Sequence, residues 1–348
     1  MPALNEETED VTHLISDISH GKLRCSYSIA ERTESLVENI IANGQWKTAK
    51  ELMELLALQG RSLLNALPQE AVPPNVIRHI LKIIREEYLA KFQSSKVEGE
   101  QSLHHLLTAA PDDSMHYEKS MPSLKNSLID HLAEYKVELE TSLDNIASQA
   151  SEHIHSNEII MTLGKSNTVE KFLKSAAKTR KFQVIVVEAA PQCQGHEMSV
   201  NLGKSNIQTT VISDSAVFAM MARVNKVIIG THTVMANGGL RAACGSHAIA
   251  LAAKHYSVPV MVLAPMYKLN PVHLCSYEQD AFNICASPAA VLPFSAGPIT
   301  AKVHIYNPVF DYVPPELVTL FISHQGGNAP SYVYRLITEL YHPDDYDL

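Results

Sequence analysis

From about residue 27 to 150 the apolar positions recur every three or four residues. Val76, Ile77, Ile80, Leu81, Ile84 and Tyr88 fall on one face of a helix that begins after Pro73 and Pro74. Ala49, Leu52, Met53, Leu55, Leu56, Leu63 and Leu64 mark another, which Pro68 stops. A longer helix opens at Ser123, where Leu128, Leu132, Tyr135, Leu139, Leu143 and Ile146 step by three and four and form an apolar seam that must cover other helices or a partner. Residues 94–122 combine Gly99, Pro111, Asp112, Asp113 and Pro122 without periodicity, which predicts a long mobile loop inserted into the helical part.

After Ala150 the period changes. Short β-branched runs at 158–162, 182–187, 208–212, 226–229 and 259–263 are each followed by a helix-length segment, the pattern of βαβ units and a parallel sheet covered on both faces. The reading is an α/β chain. A helical domain over 1–150 precedes a Rossmann-like parallel-sheet domain over 151–348, and no internal repeat or low-complexity tract interrupts either. Asn237-Gly238-Gly239 reads as the tight turn before a helix running from Leu240 to His255.

Composition narrows the class. The 348 residues are 46% hydrophobic and 19% charged, which fits a globular chain and excludes disorder over most of its length. A net charge of -9 argues against a general nucleic-acid surface, because phosphate binding needs clustered cations. The five cysteines, Cys25, Cys193, Cys244, Cys275 and Cys285, are odd in number and scattered, as reduced thiols of a cytosolic protein would be. Glu6, Glu7, Glu9 and Asp10 stand where a signal or transit peptide needs basic residues, and no apolar run reaches the length of a membrane span. A cytoplasmic location follows.

Ligands of open α/β sheets sit beyond the carboxyl ends of the strands. The residues to weigh are therefore Gly164-Lys165-Ser166, Glu188 to Pro191, Ser213-Asp214-Ser215 and Gly230-Thr231-His232. Neither GxGxxG nor GxxxxGK[ST] is present, so no cofactor has a signature. Gly164-Lys165-Ser166 suits either a small anion site or a strand-to-helix turn capped by Ser166. His232, Asp214, Glu188 and Cys193 could meet in one cleft, although spacing alone does not bring them to reacting distance. His153 and His155 lack a matching carboxylate or thiol pair, so no metal is expected. His104 and His105 read as solvated loop residues.

The strand-end segments also carry a resemblance. Ile159 to Thr162, Val187-Glu188-Ala189-Ala190-Pro191 with Gln194-Gly195, Ile212 to Ser215, Gly230 to Gly238, and Asn307-Pro308-Val309-Phe310-Asp311 with Pro314-Pro315-Glu316-Leu317 follow one another as in a known superfamily. It resembles the one that unites sugar-phosphate aldose-ketose isomerases, acting on methylthioribose-1-phosphate and ribose-1,5-bisphosphate, with the regulatory subunits of eukaryotic translation initiation factor 2B. The stretch Val187 to Pro271 and the ending Tyr332 to Leu348 look more like the beta type of those subunits than the alpha or delta types.

The resemblance implies a non-catalytic regulatory and scaffold subunit of the guanine nucleotide exchange factor for initiation factor 2. It implies alpha, gamma, delta and epsilon partners in a hetero-decamer, exchange activity in epsilon, and a role in receiving the alpha subunit of initiation factor 2 and sensing its phosphorylation. The isomerases' catalytic Cys and Asp positions correspond to Gly164 and His232, and Ala190 stands where they carry an Arg. A relict pocket would then be lined by Gly164, Lys165, Ser166, Glu188, Asp214, His232 and Asn237, with no catalytic group, metal or cofactor. The alternatives are an active isomerase and a metabolite-sensing subunit that keeps the old pocket.

Overall fold

The computed structural model describes residues 2–97, 117–273 and 282–348. The helices are α1 (Pro2–Ser19), α2 (Ser26–Asn43), α3 (Ala49–Ala66), α4 (Val72–Val97), α5 (Leu124–Ser148), α6 (Ala150–His153), α7 (Asn167–Ala177), α8 (Gln194–Lys204), α9 (Val217–Met221), α10 (Ser246–His255) and α11 (Val333–Leu340). The strands are β1 (Ile159–Leu163), β2 (Gln183–Val187), β3 (Gln208–Ile212), β4 (Lys226–Gly230), β5 (Thr233–Val234), β6 (Leu240–Ala243), β7 (Val260–Leu263), β8 (Phe310–Val313), β9 (Leu320–Ser323) and β10 (Gly326–Asn328). Among the described residues, no helix is long and apolar enough to cross a membrane.

The chain divides into two compact units. One comprises residues 1–140 together with 338–348, the other 141–337, and both boundaries fall inside helices, α5 and α11. A single division near residue 150 therefore does not describe these units, because the last eleven residues return to the helical one.

The helical unit starts with α1, which the sequence reading passed over. Local chemistry sets the helix starts. Thr48 Oγ1 accepts from the Glu51 amide at 3.2 Å while the Glu51 carboxylate accepts from the Lys47 amide at 2.8 Å, a reciprocal cap on α3. Pro73 and Pro74 occupy the first turn of α4, where their missing N–H groups cost nothing. The inserted segment begins later than expected, since α4 continues to Val97, and residues 98–116, with His104 and His105, lie outside the described residues.

Burial in this unit includes one acid. Glu34 on α2 is fully buried, with the neighbouring Ser35 side chain giving it only weak relief. Desolvation, with Glu38 nearby, pushes its pKa from the ordinary 4.5 up to about 7, and Lys136 offsets only part of this. The folded state therefore holds a proton that the unfolded chain releases. The resulting stability is fully present below about pH 4.5 and is lost as pH rises through 7, a change of about 3 kcal/mol. Glu34→Gln should unfold at the same urea concentration as the wild type at pH 4.5 and at a clearly higher one at pH 8. Equal midpoints at pH 8 would contradict this.

In the second unit, seven strands run in the order β10-β9-β7-β4-β1-β2-β3, all parallel except for the antiparallel β9–β10 pair. The central strands are near-continuous apolar runs, with Ile160, Met161, Val227, Ile228 and Ile229 all buried, because helices cover both faces. The edge strand β3, Gln-Thr-Thr-Val-Ile, is more polar and has no buried residue. Phe172 and Leu173 of α7 and Met198 and Leu202 of α8 pack into the core.

The expected helix from Leu240 to His255 is corrected. Leu240–Ala243 is instead a strand, antiparallel to β5 and β8 in a separate three-stranded sheet, and the helix begins at Ser246. Leu240, Arg241 and Ala242 are buried within that sheet, and Gly245 at φ +98° breaks any continuous helix. Asn237-Gly238-Gly239 is thus the tip of a β5–β6 hairpin, with Gly238 at φ +79°.

Candidate functional site

The chain leaves β1 for β2 and β3 on one side and later returns to place β4 on the other, so β1 and β4 flank the point where strand order reverses. In open α/β sheets the crevice forms there. Gly164 follows β1 at φ +56°, with its amide on the Val187 carbonyl at 3.0 Å. Ser166 caps α7, its hydroxyl accepting from the Val169 amide at 3.5 Å, which is the turn reading of Gly164-Lys165-Ser166. A Cβ on Gly230, at the end of β4, would lie 2.5 Å from Ser166 Oγ, so the serine closes the two strand ends on each other. Lys165 is ion-paired to Glu197.

The loop after β2 is held by a carboxylate. Asp214 accepts from the Ala189 amide at 3.2 Å and the Ala190 amide at 2.7 Å. Glu188 lies beside His196, with Oε2 and Nε2 3.4 Å apart. Gly195 seats the start of α8 against β2, because a Cβ there would meet the Val187 carbonyl oxygen at 2.4 Å.

His232 follows β4. Its amide donates to the Arg241 carbonyl at 3.0 Å, its Nδ1 lies 2.9 Å from Thr233 Oγ1, and its ring stands 4.8 Å from that of Phe310. The Arg241 guanidinium lies over the Phe310 ring at 4.4 Å. Asn237 is anchored at the hairpin tip instead, donating to the Tyr312 hydroxyl at 2.9 Å. Of the seven residues read as a pocket, Gly164, Ser166, Glu188 and Asp214 share the strand ends and are linked through the β2–α8 loop, whereas Lys165 is drawn toward Glu197, His232 toward Thr233 and Phe310, and Asn237 toward the small sheet.

One residue at this face was read only as part of the Asn307–Asp311 motif and not as a site residue. Asp311 Oδ2 accepts from the Gly245 amide at 2.6 Å and the His247 amide at 3.2 Å, at the start of α10. Burial and the Asp311 carboxylate beside it push the Cys244 thiol up to about 11, so it stays protonated. The backbone donors that could cradle a phosphate, at 189–190 and at the α10 start, are therefore already filled by two carboxylates of the chain itself.

Comparisons with known proteins agree with this architecture. Residues 22–330 match the model of the Initiation factor 2 subunit family. The chain is similar to translation initiation factor eIF2B subunit beta of Dictyostelium discoideum, 43% identical over 92% of each chain. It is 31% identical over 64% of its length, and 70% of the other's, to ribose 1,5-bisphosphate isomerase of Archaeoglobus fulgidus. Among solved structures it resembles eIF2B beta of Chaetomium thermophilum, with a TM-score of 0.75, 26% identity and coverage of 96% of this chain and 92% of that one. It also resembles a chain of the tetrameric eIF2B-beta2-delta2 complex from the same organism, with a TM-score of 0.72, 25% identity and coverage of 96% and 95%.

Proposed function

Because the chain belongs to the Initiation factor 2 subunit family, we propose that it is a non-catalytic regulatory and scaffold subunit of a cytosolic guanine nucleotide exchange factor for initiation factor 2. The likeness to a beta subunit over nine-tenths of both chains carries this reading. Exchange chemistry belongs to a partner of the epsilon type. With a delta-type subunit this chain helps to receive the alpha subunit of initiation factor 2 and to sense its phosphorylation. The pairing with delta draws on the likeness to a beta–delta tetramer.

The site favours a non-catalytic role. Gly164 has no side chain, the His232 ring is engaged by Thr233 and Phe310, and Asp214 and Asp311 add negative charge where a sugar phosphate would need cations. The exposed surface fits a scaffold. Phe218, Leu251 and Tyr256 are exposed on the α/β unit, and the Phe218 and Tyr256 rings meet at a tilt with centroids 5.2 Å apart. In the Tyr332–Tyr341 stretch Val333, Leu336, Ile337 and Tyr341 are buried within the chain, and Tyr332 and Tyr334 are its exposed aromatics.

Co-expression with alpha, gamma, delta and epsilon subunits should yield a hetero-decamer by native mass spectrometry. Omitting this chain should abolish assembly with delta and the inhibition of nucleotide release by the phosphorylated alpha subunit of initiation factor 2. A chain that stays monomeric and shows no affinity for a delta-type subunit would overturn the proposal.

A further inference from the structure

The passage from β2 into α8 gathers three side chains of different chemistry that the proposed role does not use. Glu188 follows β2, Cys193 stands at the N-cap of α8 and His196 in its first turn, in a C-x-x-H spacing. Their ligand atoms, a carboxylate oxygen, a thiol sulfur and an imidazole nitrogen, all lie within 4.8 Å of one another. We propose that Glu188, Cys193 and His196 form a binding site for a zinc-class divalent cation, with water in the fourth position.

The geometry suits that ion. Bond lengths of about 2.0–2.2 Å from zinc to nitrogen or oxygen give a tetrahedral edge of roughly 3.4 Å. Glu188 Oε2 and His196 Nε2 stand 3.4 Å apart. The Cys193 sulfur, on a half-buried side chain, lies within 4.8 Å of both atoms. The frame is rigid before any ion arrives. The Cys193 amide donates to the Ala189 carbonyl at 2.9 Å, the Gly195 amide to the Glu188 carbonyl at 3.0 Å, and the His196 amide to the Cys193 carbonyl at 3.1 Å. Asp214 clamps the adjoining amides at 189 and 190. Thiolate and imidazole select zinc or copper over magnesium and calcium, which prefer all-oxygen shells. Binding releases the thiol proton, so affinity should rise with pH. The fourth position faces solvent, because His196 is exposed.

Cobalt(II) titration of the full-length chain, alone and in its assembled complex, tests this. One equivalent should give visible bands of a tetrahedral site and a thiolate-to-cobalt charge-transfer band, which one equivalent of Zn2+ displaces and excess Mg2+ does not. Cys193→Ser should remove the charge-transfer band. His196→Gln should weaken zinc affinity beyond the about 100-fold that loss of an outer-sphere partner can cost. Circular dichroism on both variants confirms folding, which these partly exposed positions should permit. Uptake unchanged in Cys193→Ser and His196→Gln, or no cobalt spectrum in the folded wild type, would show that the Glu188–His196 contact is only an ion pair and overturn the proposal.

Discussion

Arg78→Ala should destabilise the helical unit by about 3–5 kcal/mol, through lost packing and three lost hydrogen bonds. Arg78, on α4, is 1% exposed. Its Nε donates to the Asp345 carbonyl at 3.2 Å, its Nη2 to the Tyr346 carbonyl at 3.0 Å and its Nη1 to Asn75 Oδ1 at 3.1 Å. One planar fork therefore ties the chain's last residues to a helix laid down some 270 residues earlier. Arg85, two turns on, pairs with both oxygens of the Asp345 carboxylate at 2.8 and 3.1 Å, and Tyr341 is buried in the same unit. Removing the guanidinium takes away three donated hydrogen bonds at a buried position. Arg78→Met, which keeps the stem, should recover the packing part alone. Urea unfolding and chymotrypsin cleavage at Tyr341 measure both effects, and an Arg78→Ala midpoint equal to the wild type would refute the clasp.

The second large effect is the absence of a reaction. Neither the chain nor its complex should interconvert ribose-1,5-bisphosphate or methylthioribose-1-phosphate with the corresponding ketoses above the uncatalysed rate. Moving hydrogen between neighbouring carbons needs a positioned group to manage the hydroxyl protons. Gly164 supplies none. Gly164→Cys will not restore it, because the backbone there has φ +56° and a new Cβ would press the Ala189 Cβ at 3.2 Å. His232→Asp would add another carboxylate to a face that already holds Glu188, Asp214 and Asp311. The double variant should therefore stay inactive as well. A coupled assay decides the matter, since wild-type turnover that vanishes in His232→Ala would restore the isomerase reading.

Helical and strand periods were legible because each side chain's burial is set by its own element. The stepping of Leu128, Leu132, Tyr135 and Leu139 requires α5, and the apolar runs of β1, β2, β4 and β7 require a buried parallel sheet. At Leu240–Ala243 that logic fails. Four residues cannot show a period, and what makes them a strand is pairing with Phe310–Val313, some seventy positions away. Asp311 was legible only as part of the Asn307–Asp311 motif and not as a site residue, because its partners at Gly245 and His247 lie 66 and 64 residues back.

By itself, then, the order of residues determined the class: helices first, a Rossmann-like sheet after, and strand-end motifs that place the chain in its family. Tertiary structure alone decided that the last residues close onto α4 and that two carboxylates occupy the amides a phosphate would use. The physical reason is range. Periodicity and propensity act within a few residues, whereas these hydrogen bonds join groups whose separation along the chain carries no trace in either.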